Sequence, residues 1–203
     1  FTVPLVTRSD GSKFGKSESG EALWLDINKT SSYELYQYFI NAEDDKVIEY
    51  LKKLTFLTKE EIEELEISLK EHPEERKAQK ALAKEIITFL HGEEEYKKAL
   101  HISESLFSDR IWELTADEII ESIKDVPRFE VQNEANLVDV LVDNKIVSSK
   151  REAREMISSG AVSINNEKVK DLDKVITNKD AIDGKVLLIK KGKKNYFIGL
   201  MEK

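Results

Sequence analysis

The sequence predicts an α+β chain of more than one domain: an acidic, all-α domain followed by a small, basic domain that mixes helices and strands. The first observation is a charge split within a chain of net charge −8. Residues 136–203 carry 14 Lys and Arg against 10 Asp and Glu, whereas the preceding 135 residues carry 18 against 30. The second is a change of apolar period, from helical spacing to short alternating runs. Opposite charges predict two domains with different partners.

Composition narrows the classes of protein. A 40% hydrophobic content is enough for a packed core, and no apolar run approaches the roughly 20 residues that span a bilayer. We therefore expect a cytoplasmic protein without a membrane partner. The chain has no cysteine, and its three histidines lie on separate charged stretches, so we expect no metal site. Because it begins with Phe1, we also expect a piece of a longer protein.

Residues 1–29 begin with an apolar, extended run and continue as RSDGSKFGKSESG, which has neither a helical nor an alternating period. This pattern predicts a loop after a strand. The Gly15-Lys16-Ser17 run does not fit a Walker phosphate loop, because the first glycine of that motif would stand where Asp10 does.

Residues 30–125 carry apolar side chains at helical spacing, for example Leu82, Ile86 and Leu90. Three helix starts match the capping box, in which a hydroxyl and a carboxylate three residues apart bond each other's backbone amides; they are Ser31 with Glu34, Thr58 with Glu61, and Thr115 with Glu118. Pro73 suits a first helical turn, and Gly92 suits a helix end. We predict an acidic helical domain.

Pro127 and a polar run interrupt this period, which predicts a linker at residues 126–135. In residues 136–203, Leu137 begins a short helix, and Ser149 with Glu152 begins a second that ends at Gly160. A hairpin turning at Asn165 and Asn166 follows, and then two strands, VLLI and NYFIGL, around the turn KKGKK. We predict a small α+β domain.

The run Lys13-Phe14-Gly15-Lys16-Ser17 resembles the KMSKS-type signature of class I aminoacyl-tRNA synthetases. Its surroundings, PLVTRSDGSKFGKSESG and LWLDINKTSSYELYQYFIN, resemble the bacterial tyrosyl-tRNA synthetase family where the catalytic domain meets the anticodon-binding domain. The resemblance implies that Lys16 contacts ATP with Lys13 as its companion, and that Gly15 and Ser17 complete the loop. Mobile ammonium groups suit this role, because negative charge develops on the phosphoryl oxygens during amino-acid activation.

The same resemblance implies a class I, ATP-dependent tyrosine–tRNA ligase with tRNA(Tyr) as its partner. ATP would be a substrate, with Mg²⁺ taken from solution. The nucleotide-binding sheet, the HIGH-type motif and the tyrosine pocket are expected before Phe1, so this piece is not expected to catalyse alone. The longer enzyme is expected to be a homodimer. Residues 1–29 would then be the end of the catalytic domain and its junction.

The run SSKREAREMISSGAVSINNEKV resembles the small RNA-binding module of the ribosomal protein S-four type. Helical spacing places Lys150, Arg151 and Arg154 on the outer side of the second helix, beside its N-terminus. Four more cations lie at the predicted hairpin tip, namely Lys190, Lys191, Lys193 and Lys194. Such cations bind phosphates. Tyr196 beside them is interpreted either as a base-stacking residue or as core packing.

In the helical domain, YELYQYFIN, FLTKEEIE, AQKALAKEI and HGEEEYKKAL carry the family resemblance and imply anticodon binding. Glu43 or Asp44 would accept hydrogen bonds from a guanine edge. The leading hypothesis is thus the tRNA-recognition half of a tyrosine–tRNA ligase. Two alternatives stay open: a standalone RNA-binding adaptor without ATP chemistry, and a helical interaction scaffold with a basic tail.

Overall fold

The computed structural model describes residues 6–12, 14–15, 22–124, 126–193 and 195–202. The chain divides into two compact units, Phe1–Ser103 and Glu104–Lys203. The boundary between the units thus falls earlier than the predicted linker at 126–135. Asn166 donates to the carbonyls of Leu106 and Ser108, and residues Arg128–Val131 form a strand. No helix within the described part of the chain is both long and apolar enough to cross a membrane.

The first unit is helical, as the apolar spacing predicts. Its helices are α1 (Ser32–Ile40), α2 (Asp44–Leu54), α3 (Lys59–Glu71), α4 (Lys77–His91) and α5 (Glu93–Ser105), with a 3-10 turn at Pro73–Glu75. Helix α4 packs against α1, α2 and α3. Its Leu82 and Ile87 are fully buried, and each such side chain contributes about 1.5–3 kcal/mol through removal from water.

The helix ends confirm the capping predictions. Both reciprocal bonds are present at Ser31, at Thr58 and at Thr115. Pro73 begins its 3-10 turn, and Gly92 ends α4 with a φ of +94°, a conformation that costs a side-chain-bearing residue more than glycine.

The second unit combines helices and strands, so the predicted α+β class is confirmed. Its elements are a 3-10 turn (Asp109–Glu113), α6 (Ala116–Ser122), β1 (Arg128–Val131), β2 (Ala135–Asn136), α7 (Leu137–Asp143), α8 (Lys150–Ser158), β3 (Val162–Ile164), β4 (Glu167–Lys168), β5 (Val175–Ile176), a 3-10 turn (Asn178–Asp180), β6 (Val186–Lys191) and β7 (Asn195–Met201). The predicted turn at Asn165 and Asn166 has positive φ at both residues, as a type I′ hairpin turn requires.

The main sheet has the strand order β1-β7-β6-β3-β4, and β2 pairs separately with β5. Strand β1 runs parallel to β7, while the other neighbours are antiparallel. Gly199 makes room for this edge strand, because a Cβ there would lie 2.9 Å from the Cγ2 atom of Val131. The sheet and the helices α7 and α8 share one core, which includes Leu141 and Ile157.

One capping detail differs from the prediction. The Ser149 hydroxyl accepts from the backbone N–H of Glu152, as expected. However, the Glu152 carboxylate accepts from the N–H and the hydroxyl of Ser148, at 2.7 and 2.6 Å. The reciprocal bond is therefore displaced by one residue, because the chain ahead of α8 turns Ser148 toward the helix start.

Candidate nucleotide and RNA-binding surfaces

The loop predicted to bind ATP is described in part. Lys13, Lys16 and Ser17 lie outside the described residues. Gly15 has a φ of +95°, which favours glycine. Its N–H donates to the Tyr38 hydroxyl at 3.0 Å, and its carbonyl accepts from the N–H of Leu23 at 2.9 Å. The glycine of the signature is therefore bonded to helix α1.

The aromatic residue of the signature packs against the same helices. The Phe14 ring centroid lies 4.7 Å from that of Tyr50, 5.5 Å from that of Tyr38 and 6.2 Å from that of Phe39. Aromatic pairs at these separations add about 0.5–1.5 kcal/mol each beyond the area they bury. Phe14 thus anchors the loop on α1 and α2.

Polar contacts fix the chain that leads into the loop. The buried Tyr50 hydroxyl donates to the carbonyl of Thr7 at 2.9 Å, and burial raises the pKa of this phenol to about 12. Arg8 pairs with Glu43 at 3.3 Å, and the hydroxyl of Ser9 donates to Asp45 at 2.6 Å. Residues 7–9 and 14–15 are therefore held by side chains of α1, α2 and the α2 N-cap.

The two carboxylates predicted to accept bonds from a guanine both have partners. Glu43 is the N-cap of α2 and pairs with Arg8. Asp44 is exposed and accepts from the Nε2 atom of Gln79 at 2.6 Å. An ionised carboxylate offers about four lone-pair sites, so these contacts leave acceptor capacity at Asp44.

Helix α8 presents the predicted cations to solvent. Ala153 and Ile157 are fully buried, and Lys150, Arg151 and Arg154 are exposed. Lys150 pairs with Asp139, and Arg151 pairs with Glu155 at 3.1 Å. Arg154 forms no ion pair with another residue of the described set. Exposed pairs of this kind contribute about 0–1 kcal/mol, so a phosphate can displace them.

The hairpin between β6 and β7 lies beside the first turn of α8. The Nζ atom of Lys191 donates to the carbonyl of Ile146 at 2.6 Å and lies 3.4 Å from a carboxylate oxygen of Glu152. The shorter bond, to Ile146, is the main anchor. Lys191 therefore links the hairpin to the start of α8 and is not a free cation.

The other hairpin cations differ from Lys191. Lys193 is exposed, and Lys194 lies outside the described residues. The backbone turns at Gly192, where φ is +65°. Lys191 thus holds the hairpin turn, with Lys193, beside the start of α8, which the sequence could not establish. Lys190, predicted with them, lies on the other face of the sheet, because side chains alternate along a strand.

Tyr196 lies across from Lys190 on the paired strands. The Nζ atom of Lys190 is 5.1 Å from the Tyr196 ring centroid, and the ring centroids of Phe107 and Tyr196 are 5.0 Å apart. Phe107 is 52% exposed. The sequence prediction missed Phe107, because it placed this residue in the helical domain. Together the three side chains form a partly exposed aromatic and cationic cluster.

Metal-ligating side chains do not gather in the part of the chain that the structure describes: no group of three or more His, Asp or Glu residues is arranged to hold an ion.

Comparison with known proteins gives two family matches. The model "tRNA synthetases class I (W and Y)" matches residues 1–108, more than half of the chain. The model "Tyrosine–tRNA ligase SYY-like C-terminal domain" matches residues 118–199. The two matches leave few residues unassigned.

Individual relatives agree with these models. "Tyrosine–tRNA ligase 1" of Bacillus anthracis and "Tyrosine–tRNA ligase" of Staphylococcus carnosus are each 52% identical over 199 residues, which is 98% of this chain and 47% of the relative. The chain therefore spans about half the length of these relatives. A solution structure of a tyrosyl-tRNA synthetase C-terminal domain is 39% identical, with a TM-score of 0.39. The match covers 48% of this chain and 99% of the chain in that structure. The family assignment rests on the sequence matches.

Proposed function

We propose a function from the family: this chain belongs to the class I tRNA synthetases, in the tyrosine–tRNA ligase branch. It would be the tRNA-recognition part of an enzyme that activates tyrosine with ATP and transfers it to tRNA(Tyr). The second unit would bind the RNA backbone as a module of the ribosomal protein S-four type. The helical unit would contact the anticodon, with Asp44 the better placed acceptor because it is exposed. Loop residues 13–17 would serve the ATP reaction.

The observation that supports the RNA-binding proposal is the contact of Lys191 with Ile146 and Glu152, which holds the turn that carries Lys193 beside the cations of α8. We call the residues Lys150, Arg151, Arg154 and Lys193 the basic surface. Lys190 is not part of it, because its side chain lies on the other face of the sheet, over the ring of Tyr196. Phosphate contacts of this kind supply most of the affinity for a nucleic-acid backbone, and they position RNA without reading its bases.

The match of residues 1–108 to a class I synthetase model favours an enzyme over an adaptor without ATP chemistry. In the proposed reaction, tyrosine attacks the α-phosphorus of ATP, and Lys13 and Lys16 stabilise the charge that builds on the phosphoryl oxygens and the pyrophosphate. In a protein that contains the catalytic domain, Lys16→Ala should slow tyrosyl-adenylate formation by roughly 100- to 1000-fold, the effect of removing one such donor elsewhere. Tyrosine affinity should change little. Unchanged single-turnover activation would reject this role.

The RNA-binding proposal is tested by titrating a fluorescently labelled tRNA(Tyr) transcript with the chain at low salt. The double variant Arg151→Ala, Arg154→Ala should bind more weakly, because it removes two cations of the basic surface. Lys52→Ala with Lys59→Ala is the matched control, since it removes two cations from the helical unit. Equal weakening by both pairs, or by neither, would argue against the basic surface.

A further inference from the structure

A groove of about 280 Å³ lies in the second unit, beside the C-terminal end of α8. Its lining includes Trp112, Lys168, Lys170 and Lys179. The position of a Cβ on Gly160, which follows α8, is 3.5 Å from the Cε atom of Lys170 and 3.8 Å from the Cδ atom of Lys168. The lysine stems therefore cross the C-terminal end of α8, whose nine residues span about 13 Å.

Trp112 is presented to this groove by a fixed turn. Its neighbour Ile111 is fully buried, whereas Trp112 itself is 46% exposed. The side chain of Asn166 donates to the carbonyls of Leu106 and Ser108, at 3.0 and 2.8 Å. These bonds tie the 3-10 turn that carries Trp112 to the β3–β4 hairpin. A large aromatic face is thus left open to solvent although its backbone is held.

The lysines that line the groove with Trp112 differ in whether they pair with a carboxylate. Lys174 pairs with Asp180, whereas Lys168, Lys170 and Lys179 pair with no carboxylate among the described residues. Four lysines and three carboxylates line the groove, so its formal charge is one unit positive. An aromatic face beside uncommitted ammonium groups matches a ligand that has both a π-face and a phosphate.

We propose that this groove binds an unpaired nucleotide of the tRNA, with its base stacked on Trp112 and its phosphate contacted by Lys168 and Lys179. The inference rests on the proposed function and adds to it a second contact, at the other end of α8 from Lys150. A paired base hides its faces in the helical stack, whereas a loop or bulge nucleotide exposes one to an aromatic side chain. The groove is therefore a site for single-stranded rather than duplex RNA.

The chain contains two tryptophans, so Trp24→Phe leaves Trp112 as the only indole fluorophore. In this background, titration with a tRNA(Tyr) transcript should quench the fluorescence of Trp112. A fully paired RNA duplex should bind the basic surface without that quenching. Equal quenching by the duplex would overturn the proposal, because it would show that an unpaired base is not required.

Affinity for the transcript provides the second readout. Trp112→Ala should weaken binding about tenfold, within the range for one stacked base, and Trp112→Phe should restore most of the loss. Because the indole is half exposed, both variants should keep the thermal midpoint of the parent. Unchanged affinity in Trp112→Ala, together with weakening in the Arg151→Ala, Arg154→Ala variant, would overturn the groove and leave the proposed function intact. An absence of transcript binding by the unmodified chain at low salt would overturn both.

Discussion

The ring of Phe14 lies 4.7 Å from the ring of Tyr50, and this contact joins the described residues of the KFGKS run, Phe14 and Gly15, to helix α2. The same tyrosine donates to the carbonyl of Thr7. Gly15 bonds Tyr38 on helix α1. Side chains of the helical unit, which is proposed to contact the anticodon, thus hold the described part of the loop that is proposed to serve the ATP reaction.

Phe14→Ala should destabilise the first unit by about 2 kcal/mol, less than the roughly 3–5 kcal/mol of a fully buried phenylalanine because this ring is only partly buried. The measurement is the urea midpoint followed by far-ultraviolet circular dichroism. Phe56→Ala is the control, since the Phe56 ring is 82% exposed, and it should change stability by no more than about 0.5 kcal/mol. Equal effects of the two variants would contradict the anchoring role.

Gly199→Ala should destabilise the second unit by about 1–3 kcal/mol, because the added methyl group would overlap Val131 on the neighbouring strand. The double variant with Val131→Ala removes the overlapping atoms. Its loss in thermal denaturation should be smaller than the sum of the two single losses. Additive losses would mean that β1 does not pack on β7 at this position.

Lys191→Ala and Lys193→Ala should have opposite profiles. Lys191→Ala should lower the free energy of unfolding by about 1–2 kcal/mol, because it removes a charge-assisted hydrogen bond to the carbonyl of Ile146. Lys193→Ala should leave stability unchanged and reduce the salt dependence of tRNA binding by about 0.9 in log–log slope. Urea unfolding and binding titrations on both variants provide the check, and identical profiles would contradict the distinction.

The stability contributed by Glu152 should depend on pH. Hydrogen bonds from Ser148, with a further contribution from Lys191, hold the pKa of this carboxyl below its usual value of 4.5. A lowered folded-state pKa means that the contribution is complete above pH 4.5 and is lost as the pH falls through the folded-state value. The difference in urea midpoint between the parent and Glu152→Gln should therefore be larger at pH 7 than at pH 3.

Glu60→Gln, which removes one exposed charge from the first turn of α3, is the control for that comparison. A difference between parent and Glu152→Gln that is the same at pH 7 and pH 3 would show that the Ser148 bonds do not favour the ionised form.

Local chemistry explains which elements the sequence could predict. The capping boxes at Ser31, Thr58 and Thr115 depend on residues three positions apart. The hairpin at Asn165 and Asn166 depends on two residues that tolerate positive φ. Such signals lie within a short window, so the helices and the hairpin are predictable without tertiary structure.

Long-range contacts explain what the sequence could not supply. Strand β1 has four residues and pairs in parallel with β7 about 70 positions later, so Pro127 and the polar run around it suggested a linker. Lys191 resembles the neighbouring lysines in sequence. Only its hydrogen bond to the carbonyl of Ile146 shows that it links the hairpin to the start of α8. No local sequence pattern marks Phe107 as a neighbour of Tyr196, or Trp112 as part of the groove beside α8.

The most direct measurement is the affinity of the chain for a tRNA(Tyr) transcript as a function of salt concentration. If about four cations of the basic surface contact phosphates, the log of the association constant should fall with the log of salt at a slope of about −3.6. The Arg151→Ala, Arg154→Ala variant should reduce the magnitude of that slope by about 1.8. Binding without salt dependence, or the same slope in both proteins, would contradict the proposal that this chain binds tRNA through its basic surface.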